Sequence, residues 1–179
     1  MKQTGGKARG AAMSWWTTIP IIIVLIGGLV ALFLLSPQSR PILVKLLPVG
    51  KIEFVQFDVL QPPDRPNHFL LCPKDYCVFG ADAESPVYNM PKERLRTIFF
   101  EALELDPAMQ IEKNYDDVDQ YDIVTRSKYL AFPDILTVRF FRSSKDKSTL
   151  AMYSRSVYGH YDFGVNRERV EKLLRIIRP

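Results

Sequence analysis

The chain has 179 residues, 47% of them apolar, with a net charge of +4 and a pI near 9.1, enough for one ordinary domain and hardly for two. Its basic residues are scattered among acids rather than gathered in a stripe, so no nucleic-acid interface is expected despite the pI. One uncharged segment accounts for part of the apolar fraction, and the remainder still holds enough Phe, Tyr, Leu and Val to build a core.

Residues 1–14 read as a short tail whose charges, Lys2, Lys7 and Arg9, are all positive. Residues 15–35, WWTTIPIIIVLIGGLVALFLL, carry no charge and at a rise of about 1.5 Å per residue reach across a hydrocarbon core of roughly 30 Å. As a helix the segment satisfies its own backbone groups, which lipid cannot do for it. Trp15 and Trp16 stand where an interfacial aromatic pair belongs. Pro20 falls in the first turns, where a missing N–H costs least, and Gly27-Gly28 is not a GxxxG pattern. A cleaved signal peptide would share the basic start, but the apolar run is longer than a usual h-region and no small-x-small site precedes Ser36. The positive cluster before the helix is nearer and purer than Arg40, Lys45 and Lys51 after it. The N-terminus is therefore expected in the cytoplasm and the domain in the periplasm, at a bacterial inner membrane.

Residues 36–50 form a connector punctuated by Pro37, Pro41 and Pro48, too apolar for a free linker, and are expected as a short interfacial helix or a segment lying on the domain. Residues 51–179 form the domain. Lys51 to Leu60 reads as a strand, and QPPDRPN, Gln61 to Asn67, as a loop. The two cysteines follow, Cys72 and Cys77. In an oxidising compartment the first reading is a small structural disulfide, with unpaired structural thiols as the alternative. His68 would add a third metal ligand, but the spacing matches no standard zinc site and a redox pair needs Cys-x-x-Cys. Neither metal nor cofactor is expected.

Asn89 to Leu105 reads as a helix with Leu95, Ile98, Phe99 and Ala102 on one face. Gln110 to Tyr115 is a possible strand. Tyr121–Arg126, Ile135–Phe141 and Thr149–Arg155 are strands by their β-branched and aromatic content, the last two joined by the polar turn Ser143–Ser148. The acidic run Asp116, Asp117, Asp119 and Asp122 lacks the central Gly and terminal Glu of a calcium loop and reads as a solvated turn. A last helix, Asn166 to Ile177, sets Val170, Leu173, Leu174 and Ile177 inward and a basic face outward. The expected fold is α+β, an antiparallel sheet with two helices on one face, preceded by one N-terminal transmembrane helix. The second sheet face is expected open to solvent or against a partner.

Between the last strand and the last helix the chain reads YSRSVYGHYDFGVNRER, Tyr153 to Arg169. Gly159 and Gly164 admit turns closed to other residues. Asn166 suits an N-cap, and Asp162 can take loop N–H groups or pair with Arg155 or Arg167. The stretch resembles a widespread bacterial and plant family of unknown function whose hallmark runs approximately Ser-Arg-x-Gly-Tyr-Ser-Asp-x-Gly-x-Asn-Arg-x-Arg. Ser156, Gly159, Asp162, Gly164, Asn166, Arg167 and Arg169 match in place, and Cys72-Pro73 with Cys77-Val78 resembles the family's upstream cysteine segment. Val157 stands where the family usually has Arg, and His160-Tyr161 replaces Tyr-Ser. The resemblance covers roughly Leu70 to the C-terminus and implies no reaction.

Three roles fit the motif: a lock for the strand-to-helix corner, an anion site using Arg155, Arg167 and Arg169 with the helix N-terminus, or a hydrolase using Asp162, His160 and Ser154 or Ser156. The last lacks a nucleophile elbow, and no catalytic residue is assigned. The chain is expected to be a non-enzymatic accessory subunit, with membrane lipid and other membrane protein subunits as partners. A lipid or small-anion binding domain and the hydrolase are the alternatives.

Overall fold

The computed structural model describes residues 15–61 and 63–178, so the expected cytoplasmic tail lies outside the described residues. Helix α1 (Trp15–Leu34) runs for 20 residues with Pro20 inside it, and its large apolar side chains from Ile19 to Phe33 are exposed. The rings of Trp15 and Trp16 lie 4.0 Å apart. Its C-terminal carbonyls, which a helix leaves without partners, are taken by hydroxyls: Ser36 Oγ donates to Phe33 O and Ser39 Oγ to Leu34 O. The connector is mostly helical. A 3-10 turn (Pro37–Ser39) leads into α2 (Arg40–Leu46), which buries Leu43 and exposes Ile42 and Leu46. Among the described residues no single helix is long and apolar enough to cross a membrane. Thr18–Leu34 and Pro37–Leu46 are so together, as a pair bent by 74°.

The domain is a mixed α+β fold around one six-stranded sheet. In chain order come β1 (His68–Cys72), β2 (Ala83–Glu84), α3 (Lys92–Glu104), β3 (Gln110–Tyr115), β4 (Gln120–Arg126), β5 (Pro133–Ser144), β6 (Lys147–Ser156) and α4 (Val165–Ile176). Across the sheet the order is β2-β1-β6-β5-β4-β3. β3 to β6 form a meander of antiparallel neighbours, and β6 also pairs antiparallel with β1. The sheet is not wholly antiparallel, because β2 runs parallel to β1. The disulfide loop between them returns the chain to its starting end. There Asp82 N–H donates to Leu70 O, Ser85 N–H to Cys72 O, and Asp82 Oδ2 accepts from Leu70 N–H.

Helices α3 and α4 pack on one face, as the periodicity of their apolar residues requires. Leu95, Phe99, Ala102 and Leu103 of α3 and Val170 and Leu173 of α4 meet Phe69, Leu71, Ile123, Leu136, Val138, Phe140, Leu150 and Met152 from the strands. Burying each large side chain contributes about 1.5–3 kcal/mol. Edge-to-face aromatic pairs, Phe99 with Phe140 at 5.4 Å and Phe100 with Tyr121 at 4.9 Å, fix the seating of α3. α3 begins at Lys92 rather than Asn89 because Pro91 holds the extended conformation at its N-cap (ψ 150°), and a residue before proline is driven out of the helical region.

Lys51–Leu60 is not a strand. It is an irregular segment, and its buried residues Ile52, Val55 and Phe57 follow no two-residue alternation, so they cannot line one side of a pleat. They cover the second sheet face. Val55 and Phe57 pack with Leu70, Ala151 and Tyr153, and Ile52 with Val124 and Ile135. Lys113 Nζ donates to Ile52 O at 2.6 Å. The face expected to be open to solvent or a partner is therefore closed by the chain's own N-terminal segment.

Candidate functional site

Strand β6 divides the motif. Its alternation sends Ser154 and Ser156 toward α4 and Tyr153 and Arg155 to the opposite face. Beyond it the chain makes two left-handed turns, at Gly159 (φ 86°) and Gly164 (φ 82°), and also holds Phe163 at φ 55° with its side chain 98% exposed. Gly164 occupies the N-cap position of α4, so Asn166 is not the cap. Asp162 supplies the capping carboxylate instead. Its Oδ1 accepts from Gly164 N–H at 3.0 Å, and its Oδ2 accepts from the N–H of Asn166 at 3.0 Å and from Asn166 Nδ2 at 2.8 Å. Burial works to raise the Asp162 pKa. The donors from Asn166 and Gly164 outweigh it and hold the carboxyl below its usual range.

Asn166 sits in the first turn of α4, fully buried. Its Oδ1 accepts from Ser154 Oγ at 2.7 Å and Arg169 Nη1 at 2.6 Å, and its Nδ2 faces Asn67 O, Ser156 Oγ and Asp162. Arg169 also donates to Ser154 Oγ and forms a buried ion pair with Asp134 at the start of β5. Asn67 Nδ2 donates to Gly159 O at 2.9 Å, which closes the ring. One connected polar network thus joins β5, β6, the segment before β1, the corner loop and α4. Asn67 and Asp134 are members that the sequence does not single out. The only signal for Asp134 is a carboxylate directly before the apolar pair Ile135-Leu136 at the head of a strand, where it must find a partner.

The other two arginines go elsewhere. Arg167 lies over the ring of Phe69, 4.7 Å from its centroid. Arg155 lies on the far face of the sheet, where it donates to Thr137 Oγ1 at 3.0 Å and covers the Tyr153 ring. There it ends a cross-strand polar row in which Thr137 Oγ1 and Tyr115 OH both donate to Asp122. Burial pulls the Arg155 guanidinium below its usual pKa. Arg155, Arg167 and Arg169 therefore do not converge on a common anion. Asp162 pairs with neither Arg155 nor Arg167 within 4.0 Å among the described residues.

The hydrolase set is not assembled. Ser154 is fully buried and donates to Asn166. The exposed His160 ring rests against Tyr161 at 4.6 Å, and among the described residues no hydrogen bond joins it to Ser154, Ser156 or Asp162. A depression of about 410 Å³ borders Asp162, between His68, Phe69, Tyr161 and Arg167, but the Asp162 carboxylate is turned inward to Asn166.

Cys72 and Cys77 form a disulfide with their Cα atoms 6.2 Å apart. His68 Nδ1 lies 2.8 Å from Arg65 O, and among the described residues no three His, Cys, Asp or Glu side chains are placed to share a metal ion. The acidic run is more than a solvated turn. Asp122 is buried in the cross-strand row, and Asp119, at φ 54°, is buried between Lys92 and Arg96 of α3. Arg96 Nη1 donates to Asp119 Oδ1 at 2.9 Å, while Lys92 Nζ lies 2.8 Å from Oδ2 as an ion pair rather than a well-angled hydrogen bond.

Residues 58–177 match a family model described as "Protein of unknown function (DUF1499)". No curated protein matches the chain.

Proposed function

Because this chain belongs to the DUF1499 family, whose description carries no reaction, we propose that it is a membrane-anchored form of that domain. It serves as a non-enzymatic accessory or interaction subunit of a membrane protein complex. The observation that carries the reading is α1, an uncharged helix with its apolar side chains exposed, joined to a domain that already covers both faces of its own sheet. The family match begins at residue 58, so α1 and α2 are additions outside the matched domain. In this reading α1, whose 20 residues fall within the roughly 17–25 that a span takes, makes the single crossing although it reaches the required length and apolarity only together with Pro37–Leu46, and the 74° bend between them lays α2 along the membrane surface with Ile42 and Leu46 toward lipid. The basic residues of the tail set the N-terminus in the cytoplasm. A periplasmic domain suits the Cys72–Cys77 bridge.

Ser156, Gly159, Asp162, Gly164, Asn166, Arg167 and Arg169 are read as the family's C-terminal signature. Its role is to hold the strand-to-helix corner, since the polar groups of Ser156, Asp162, Asn166 and Arg169 are met inside the fold, while Arg167 lies outside over the Phe69 ring.

The test is membrane fractionation with carbonate extraction, followed by protease added to spheroplasts. The chain is expected to stay with the membrane, to lose its C-terminal part to the protease, and to leave gentle detergent in fixed stoichiometry with other membrane proteins. A freely soluble mature chain, a protected C-terminal half, or recovery only as a lone monomer overturns the proposal.

A further inference from the structure

An unassigned basic groove of about 450 Å³ lies between α4, the β4–β5 loop and the start of α2. Arg40, Arg126, Lys128 and Lys172 line it, against Asp106 and Glu168. Lys172 is matched by Asp106 at 3.5 Å. The other three cations have no carboxylate within 4.0 Å among the described residues. Arg40 Nη1 donates to the backbone oxygen of Lys128 at 3.0 Å, and Arg126 Nη1 to those of Leu47 and Ala131, each at 2.9 Å. These bonds aim two guanidinium groups without neutralising them. Beside the cations the same loop exposes Tyr129, Leu130 and Phe132. Unmatched cations next to exposed aromatic and aliphatic side chains suit a ligand that is an anion at one end and a hydrocarbon at the other.

The position of the groove fits that ligand. Only five residues lie between Arg40 and the end of α1 at Leu34, a reach of at most about 20 Å, and the 3-10 turn between them shortens it. If α1 lies in the hydrocarbon core, Arg40 stands at the headgroup layer, where an anionic surface attracts basic side chains.

We propose that this groove binds the phosphate headgroup of an anionic membrane lipid, with Tyr129, Leu130 and Phe132 resting at the lipid interface. The proposal rests on the membrane-anchored reading. It uses none of the motif residues except Arg169, whose charge Asp134 already meets.

The test is native mass spectrometry of the detergent-purified full chain, titrated separately with phosphatidylglycerol, phosphatidylcholine and inorganic phosphate. Phosphatidylglycerol is expected to be retained in preference to phosphatidylcholine. The double variant Arg40→Gln/Lys128→Gln should lose roughly twenty-five-fold in that affinity, since each cation near an anionic surface contributes roughly fivefold. Should the double variant melt early, Lys128→Gln alone decides, because that side chain is exposed and makes no side-chain hydrogen bond among the described residues; it should lose roughly fivefold. Equal retention of the two lipids, or affinity unchanged by the substitutions, overturns the proposal. Displacement of the lipid by inorganic phosphate at equal affinity overturns the lipid assignment in favour of a free anion. Carbonate extraction reports separately on the anchor. A chain released by carbonate fails the membrane reading, whereas a retained chain without lipid preference fails only the groove.

Discussion

Asn166 is the residue on which the corner turns. It has no exposed surface and is bonded through both ends of its amide, so replacing it leaves Ser154, Asp162 and Arg169 with buried, incompletely matched groups. Asn166→Leu, close to isosteric, is expected to cost roughly 2–4 kcal/mol and to lower Tm by about 10 °C. Arg167→Ala, only one position away, removes an exposed contact with the Phe69 ring and is expected to cost under about 1 kcal/mol. Urea melts of the two variants check this, and equal losses would contradict a structural role centred on Asn166. The sequence shows Asn166 as a capping residue because Asn, Gly and Asp all favour helix starts. Which of Asp162, Gly164 and Asn166 faces solvent depends on Asn67, a hundred residues upstream and unmarked in the sequence.

At the scale of elements, two short connections hold the domain's edges. The left-handed Asp119 ties α3 to β4 through Lys92 and Arg96. Burial raises its pKa, but those two cations more than offset it and hold the carboxyl below the usual range. The folded pKa is thus lower than the unfolded one. The resulting stability is present above the ordinary carboxylate range near pH 4 and is lost as pH falls through the folded value. Denaturant titrations between pH 6 and pH 2 should show this acid loss, and Asp119→Asn should flatten it while lowering stability at pH 6. The second connection is the Cys72–Cys77 bridge, which closes a loop with a sequence separation of only 5. Cys72→Ser/Cys77→Ser is expected to cost about 2 kcal/mol, the small value that chain entropy assigns to so short a loop; parallel melts with and without reductant check it. Helices α3 and α4 are legible in the sequence because their 3.6-residue period is clean, and strands β4 to β6 because of their β-branched and aromatic content. The two-residue β2 is not, since nothing so short carries a period. The strand expected at Lys51–Leu60 rests on apolar content alone, and content without alternation fits a covering segment equally well.

Across the whole molecule, the sheet with two helices on one face follows from those signals, but the closure of its other face does not. That closure depends on Ile52, Val55 and Phe57, and all three precede the family match, which starts at residue 58. A chain cut to residues 58–179 should therefore expose Leu70, Ala151 and Tyr153 and either aggregate or melt well below a chain beginning at Val49. Size-exclusion chromatography and thermal melts of the two compare them directly; equal behaviour would mean that the segment is dispensable. Phe57 makes the same point singly. Phe57→Ala should cost about 3–5 kcal/mol, although no regular element contains it. Sheet order has one more effect. The middle of the sheet is β6, which is made near the end of synthesis, yet it pairs on one side with β1, as in His68 with Arg155. A ribosome that has delivered the first two-thirds of the polypeptide has released β1 with no neighbour to dock against except the tiny β2. Non-local pairing of this kind is slow and waits on loop closure. Hairpins among β3, β4 and β5 can form as they appear, but β1 is sewn into the sheet only after nearly all of the chain has emerged.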